Sequence, residues 1–190
     1  AAAQAVQMGM HHDGIHFYPL AGNGTRGLLA MNHEYTDDGL LHVGGMQNWS
    51  AEKVAKAQAA NGVSVIEVTV GANGWDVVRP SRFARRITAN TPMMITGPAR
   101  GHAMMRTKDD SSGAVVLGTI NNCAHGYTPW GTYLTCEENF SGYFNGPDKP
   151  EADQARWGLR KGGAGYRWHE FDERFDANKH PNEYNRFGWV

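Results

Sequence analysis

The sequence predicts a mainly β protein built from short antiparallel strands joined by many turns. Glycine accounts for 24 of the 190 residues, well above its usual share of about 7%, and it supplies the positive-φ conformations that tight turns require. Six Trp, seven Tyr and seven Phe favour half-buried strands. Helical patterns do not alternate with strands often enough for a parallel α/β fold. A sandwich, a barrel or a propeller would each suit this spacing of strands.

The clearest elements lie between residues 50 and 79. Ser50 is expected to cap one short helix over residues 51–60, which ends at Asn61-Gly62. Residues 63–70 (VSVIEVTV) predict a strand, and the turn GANG returns the chain through a second strand at residues 75–79. Further strands are predicted at residues 14–20, 27–32, 102–106, 114–120 and 131–136.

The segment 144–185 is predicted to be a long loop insertion. It is polar and is interrupted by Pro147, Pro150, Pro181 and the stretch KGGAG at 161–165. A run of this length without predicted elements is typical of a functional insertion or a long surface excursion. Residues 186–190 (RFGWV) read instead as the start of a strand, because tails are normally polar. We therefore expect residues 1–190 to be an N-terminal fragment of a larger domain, without an internal domain boundary.

The net charge and the lengths of the apolar runs argue against two kinds of interaction. Lys and Arg number 18 against 19 Asp and Glu, for a formal net charge of -1, so no basic surface for nucleic acid is expected. No apolar run approaches the roughly 18 residues that a membrane-spanning helix needs. We expect neither a nucleic-acid partner nor a membrane span.

Three N-terminal segments carry residues that could bind a ligand. The pattern GNGTRG at 22–27 matches a dinucleotide-binding motif, but a predicted strand follows it where a helix is required, so a turn between strands is favoured. The histidines in HHDGIH at 11–16 could hold a metal or could simply be satisfied strand residues. The acidic run at 34–38 either offers oxygen ligands to calcium or forms a polar loop.

The segment 121–139 holds the densest set of reactive side chains. Residues 123–130 are expected to form a tight connection, and the following strand leads into Glu137 and Glu138. A thiolate at Cys123 favours soft or redox-capable metals, whereas paired carboxylates favour calcium, magnesium or oxidised iron. The alternatives are a disulfide between Cys123 and Cys136, or an inert buried thiol beside a solvated glutamate pair.

Four segments together resemble the PhoX-type alkaline phosphatases, an exported bacterial family. They are GMHHDGIHF at 9–17, MNHEYT at 31–36, TPWGTYLTCEENF at 128–140 and FGW at 187–189. The resemblance implies a β-propeller, a mixed iron–calcium centre and the hydrolysis of phosphate monoesters. It also implies export by the twin-arginine (Tat) route to the periplasm or medium, and a full length several times this one.

Carried over by position, Cys123 resembles the thiolate iron ligand of the family. Glu137 and Glu138 match an acidic pair assigned to iron and calcium, and Glu34 is a further candidate ligand. The resemblance implies that the other metal and phosphate ligands lie beyond Val190, in the remainder of the same chain. We therefore expect a partial site that is inactive alone. Two alternatives stay open: a non-catalytic calcium-binding propeller module, and a hydrolase of the same fold with another substrate.

Overall fold

The computed structural model describes residues 1–20 and 22–190. Within this part of the chain, nine strands form three separate antiparallel sheets. The strands are β1 (His12–Pro19), β2 (Arg26–His33), β3 (Gly62–Gly71), β4 (Gly74–Val77), β5 (Arg85–Ile87), β6 (Thr91–Met94), β7 (Val115–Gly118), β8 (Asn122–Tyr127) and β9 (Tyr133–Glu137). The α-helices are α1 (Asp38–Leu41), α2 (Ala51–Ala60) and α3 (Ala152–Arg156). Short 3-10 helices cover Gln4–Val6, Ala103–Met105, Phe140–Tyr143, Trp168–Glu170, Glu173–Phe175 and Glu183–Arg186.

The largest sheet has the order β1-β2-β3-β4, and β5 also pairs with β3. Because β2 occupies one edge of β3 along its length, β4 and β5 share the other edge, at residues 68–71 and 63–65 of β3 respectively. The other sheets are the two-stranded pairs β6-β7 and β8-β9. The prediction of a mainly β protein with antiparallel strands is confirmed. No sheet closes among the described residues, so the propeller stays a prediction.

The predicted helix and its cap are confirmed in α2. The Ser50 hydroxyl accepts a hydrogen bond from the Lys53 amide at 3.4 Å, which satisfies one of the free donors of the first turn. Alanine-rich sequence favours helix in this segment, and Val54 and Ala57 on its inner face are buried. None of the helices in the described ranges is long and apolar enough to cross a membrane.

The segment 144–185 differs from its prediction, because it supplies much of the hydrophobic core instead of running over the surface. Phe144, Trp168 and Phe175 are fully buried, and the Phe175 ring contacts the rings of Trp168 and Phe144 at centroid distances of 4.8 and 5.1 Å. The buried cluster consists of Val54, Ala57, Ala89, Val116, Ile120, Phe140, Tyr143, Phe144, Leu159, Trp168, Phe175, Ala177, Tyr184 and Phe187. The aromatic residues lie in 3-10 helices or directly after them, so their spacing in the sequence follows neither a helical nor a strand period.

Buried charges tie this segment to the small sheets. The Arg174 guanidinium donates to the carbonyls of Leu117 at 2.5 Å and Ala89 at 2.9 Å, and its Nη1 lies 3.5 Å from a Glu183 carboxylate oxygen. Arg186 contacts the same carboxylate at 3.6 Å. The pairing satisfies charges that would be costly to bury alone.

Three other expectations are wrong in detail, and two short strands were not predicted. Residues 102–106 do not form a strand, because the His102 ring accepts from the Met104 amide and caps a 3-10 helix. Residues 123–127 belong to strand β8 and are not a tight connection. The short strands β5 and β6 were not expected. Residues 187–190 follow a 3-10 helix without forming a strand, although the Trp189 carbonyl accepts from the Glu137 amide at 3.1 Å.

Candidate functional site

The β8–β9 hairpin places a cysteine and a pair of glutamates at one end of the small sheet. Its ladder pairs Asn122 with Glu137 and then His125 with Thr135, with a register irregularity between them. Cys123 therefore lies in a β-bulge. Bulges disturb the regular ladder and re-aim side chains, and they are frequent beside functional sites.

The Cys123 thiol lies next to the Glu138 carboxylate. Burial raises the pKa of this thiol, and the neighbouring Glu138 and the negative charge of Asp13 raise it further. Both cysteines of the chain are free, so the alternative of a Cys123–Cys136 disulfide is wrong. A partly buried thiol beside carboxylates is held in its neutral form until a cation is present to stabilise the thiolate.

Glu34 joins the same group from the end of β2. Its backbone amide donates to the His11 carbonyl at 3.1 Å, which holds it beside the start of β1. Burial raises the pKa of Glu34, as do the charges of Asp13 and Glu138, while His11 lowers it. Asp13, Glu34, Cys123 and Glu138 thus form one group of three carboxyls and a thiol, which we call the acidic cluster.

The acidic cluster has no cationic partner among the described residues, since no Lys, Arg or His there forms an ion pair with its three carboxylates. Over the same residues, no three His, Cys, Asp or Glu side chains are arranged to hold a metal ion. The cluster therefore has donors of the right chemistry for a cation, without the convergence of a complete site.

Glu137 points away from this cluster. Its Oε1 accepts from the Thr119 hydroxyl at 2.5 Å and the Ile120 amide at 3.1 Å. Its Oε2 accepts from the Gly188 amide at 2.8 Å and the Trp189 amide at 3.5 Å. Burial raises the pKa of this carboxyl, and the four hydrogen bonds oppose that rise. An ionised carboxylate has about four acceptor positions, so protein donors occupy those of Glu137.

The N-terminal histidines do not converge. His12 lies against His33 at a ring-centroid distance of 4.8 Å, whereas His16 stacks on Tyr127 at 3.9 Å, and a bulge separates them along β1. His33 is buried, and this burial lowers its pKa to about 3. Its Nε2 lies 2.6 Å from the Ser64 hydroxyl, so His33 is a neutral structural residue.

A cleft of about 450 Å³ opens beside Glu34. It is lined by Tyr35, Asn121, Asn139, Arg160 and Tyr166, among others. The Nε of Arg160 donates to the Gly163 carbonyl at 3.0 Å, which orients the guanidinium. A phosphate oxygen suits a guanidinium with free terminal N–H groups.

Sequence reasoning treated Asp13 only as part of the possible metal ligands at 11–16, and it did not consider Arg160. Asp13 was visible only as one member of the HHDGIH run, which drew attention to its histidines. Arg160 immediately precedes the glycine-rich stretch at 161–165, and a cation beside such a turn is the signal that could have identified it.

The chain is similar to one described family and to a solved structure of it. Residues 1–190 match the family described as alkaline phosphatase PhoX. The fold is also similar to that of Pseudomonas fluorescens PhoX in complex with vanadate, a transition state analogue, with a TM-score of 0.95 and 48% identity. That match covers 100% of this chain and 33% of the other, so the chain spans about a third of its relative's length. No curated protein matches. The match over all 190 residues shows that the chain belongs to the alkaline phosphatase PhoX family.

Proposed function

We propose that this chain carries part of the active site of a metal-dependent phosphatase that hydrolyses phosphate monoesters. The observation that carries the proposal is the acidic cluster, found in a chain that matches the PhoX family from end to end. The similar Pseudomonas fluorescens protein was solved with vanadate, a transition state analogue. This supports phosphoryl transfer as the reaction of the whole protein.

The chemistry of the donors supports iron together with calcium as the cofactors. Cys123 offers the sulfur ligand that iron accepts, and Asp13, Glu34 and Glu138 offer the carboxylate oxygens that calcium and iron accept. Burial raises the pKa values of Glu34 and Cys123, and the neighbouring carboxylates raise them further. This supports the fit, since a bound cation would favour the charged forms of both groups. Metal binding by Glu137 would require that side chain to leave its four hydrogen bonds. We therefore propose Glu138 as the ligand of the pair.

Bound metal ions supply charge neutralisation, polarisation of the phosphoryl oxygen and activation of water. The residues of this chain would hold those ions and the ester. Cys123 and the carboxylates fix ion positions, and the Arg160 guanidinium in the adjoining cleft binds phosphate oxygens. Tyr35 and Tyr166 line the same cleft and shape the space for the ester's organic group. No side chain of the acidic cluster is needed as a covalent nucleophile.

The remaining donors are proposed to come from the remainder of the same polypeptide. The three sheets described above would then be parts of a β-propeller that the rest of the chain closes. Family membership supports this arrangement, and it supports a periplasmic or secreted location reached by Tat export. We expect the 190-residue chain, supplied with iron and calcium, to show no phosphatase activity. Efficient turnover by it would contradict the proposal of a partial site.

Metal analysis of the full-length protein, purified without chelators, tests the proposed function. Iron and calcium in near-stoichiometric amounts, with turnover of a phosphate monoester, are expected. The variant Cys123→Ala should lose iron and activity, whereas Cys136→Ala, which removes the other free thiol, should keep both. Calcium alone without turnover would favour a non-catalytic calcium-binding module. Metal-dependent turnover of other esters only would favour a hydrolase of the same fold with another substrate.

A further inference from the structure

A buried amide ties strand β2 to the backbone of the β8 bulge. The Asn32 side chain is 0% exposed. Its Nδ2 donates to the Cys123 carbonyl at 2.7 Å and lies 3.3 Å from the Ala124 carbonyl. These two residues lie in the irregular part of the β8–β9 ladder. Asn32 therefore provides a donor where the regular ladder does not.

The orientation of the Asn32 amide follows from its partners. Carbonyl oxygens only accept, so the amide nitrogen must face Cys123 and Ala124. The amide oxygen accepts from the Thr135 hydroxyl at 2.9 Å and lies 3.0 Å from the Tyr133 hydroxyl. With donors and acceptors matched on both sides, the side chain is held in one position.

The hydrogen bonds continue from Asn32 to the Glu137 carboxylate. Thr135 accepts from the Asn122 amide at 3.1 Å, and Asn122 also donates to the Thr119 hydroxyl at 2.9 Å. Thr119 in turn donates to Glu137 at 2.5 Å. Connected hydrogen bonds in a buried environment polarise and rigidify one another. The network thus joins the partly buried Glu137 carboxylate to the backbone of Cys123.

The absence of a side chain at Gly14 allows Asn32 to reach the Cys123 carbonyl. A Cβ atom at Gly14 would lie 2.8 Å from the Cys123 carbonyl oxygen and 2.9 Å from Asn32 Nδ2. Only a residue without a side chain allows β1, β2 and β8 to meet this closely. Gly14 therefore lies where β1, β2 and β8 meet, next to the backbone of the candidate metal ligand Cys123.

We propose that Asn32 is a positioning residue that holds the bulged backbone so that the Cys123 thiol faces the acidic cluster. Without this donor the bulge can relax toward a regular ladder, and a one-residue slip turns a side chain to the opposite face of a sheet. Asn32 touches neither metal nor ester in this proposal. The inference rests on the proposed function, because the thiol's direction matters for catalysis only if Cys123 binds metal.

The test measures metal binding at Cys123 without using activity. Full-length protein is stripped with a chelator and titrated with ferrous iron alone under anaerobic conditions. Alkylation of each cysteine by iodoacetamide is followed by peptide mass spectrometry, with Cys136 as the internal reference. The iron concentration that halves the alkylation rate of Cys123 reports its affinity. For Asn32→Ala we expect this concentration to rise about 10- to 100-fold, as is usual when a partner that orients a metal ligand is removed.

The matched control is Gln58→Ala, which also removes a buried amide. Gln58 is 4% exposed and donates to Asp172 at 2.7 Å, in another part of the core. The variant Gln58→Ala should lower the stability of the protein. It should leave unchanged the iron concentration that halves the alkylation rate of Cys123. If Asn32→Ala does not fold, Thr135→Val, which removes one donor to the Asn32 oxygen, should shift the concentration in the same direction.

Two results would overturn the proposal in different ways. If iron protects wild-type Cys123 and protects it equally in Asn32→Ala and Thr135→Val, Asn32 has a structural role only. If iron fails to protect Cys123 in the wild type, the ligand assignment in the proposed function is wrong, and the inference about Asn32 falls with it.

Discussion

Glu137 and Glu138 are neighbours in sequence, yet the same substitution should affect them in opposite ways. In Glu137→Gln the side chain keeps one carbonyl oxygen, and an NH2 group replaces the other. Two of the four donors that now face the carboxylate would then lose their acceptor. Glu138 is exposed and lies beside the Cys123 thiol, so Glu138→Gln removes a charge at the cluster and no comparable set of bonds.

The magnitudes follow from these contacts. A hydrogen bond contributes about 0.5–1.5 kcal/mol net, and the amides of Gly188 and Trp189 belong to exposed residues that water can reach. The amide is expected to face Gly188 and Trp189, where the 3.5 Å contact to Trp189 is already weak. We therefore expect Glu137→Gln to lower the free energy of unfolding by about 1 kcal/mol. Glu138→Gln should change that free energy by less than about 0.5 kcal/mol, as surface substitutions generally do.

The assay combines denaturant unfolding of the metal-free full-length protein with metal titration of each variant. Glu137→Gln should unfold at lower denaturant and bind metal nearly as the wild type does. Glu138→Gln should unfold like the wild type and bind metal more weakly. Reversal of this pattern, with metal affinity lost in Glu137→Gln alone, would refute the assignment of Glu138 as ligand and Glu137 as structural anchor.

Three further results are expected. Trp168→Ala should lower the free energy of unfolding by about 3–5 kcal/mol, because Trp168 is 0% exposed. Trp157→Ala, at a 46% exposed site, should lower it far less. Equal effects in denaturant unfolding would contradict the described core. Burial raises the pKa of Asp38 to about 6 from 3.8, so its carboxyl contributes stability below pH 4 that is lost as pH rises to about 6. Between about pH 4 and pH 6 the free energy of unfolding of the wild type should fall by about 2 kcal/mol relative to that of Asp38→Asn. A difference between the two proteins that stays constant over this range would refute the prediction. Arg160→Ala should lower kcat/KM for a phosphate monoester by about 10- to 100-fold, since a charge-assisted hydrogen bond contributes about 1.5–3 kcal/mol; unchanged kinetics would remove Arg160 from the phosphate site.

Several elements could be predicted because the signals that form them are local. The Ser50 cap and the alanine-rich run specify α2 through contacts within one or two turns. The β-branched run at 63–70 specifies most of β3, and the turn after it specifies the hairpin with β4. Such patterns act between near neighbours in sequence, so they could be identified without knowledge of the rest of the fold.

The segment 144–185 could not be predicted in this way. Its buried aromatic residues are separated by polar residues and glycines, and 3-10 turns give them no regular period. Their burial depends on α2 and on strands far away in sequence. The segment is polar on average, which predicted a loop on the surface. Phe144, Trp168 and Phe175 nevertheless lie between those polar residues and are buried in the core.

The sequence by itself determined the strand-rich character, the helix α2, the family resemblance and the candidate donors Cys123, Glu34 and Glu138. Only the tertiary structure separated Glu138 from Glu137, because the donors that hold the Glu137 carboxylate come from residues 119–120 and 188–189, which are distant in sequence. Only the tertiary structure brought Asn32 to the Cys123 backbone across 91 residues of sequence. A local pattern records which residue types are present, whereas a site is made by contacts between strands distant in sequence, and these form only when the sheets pack together.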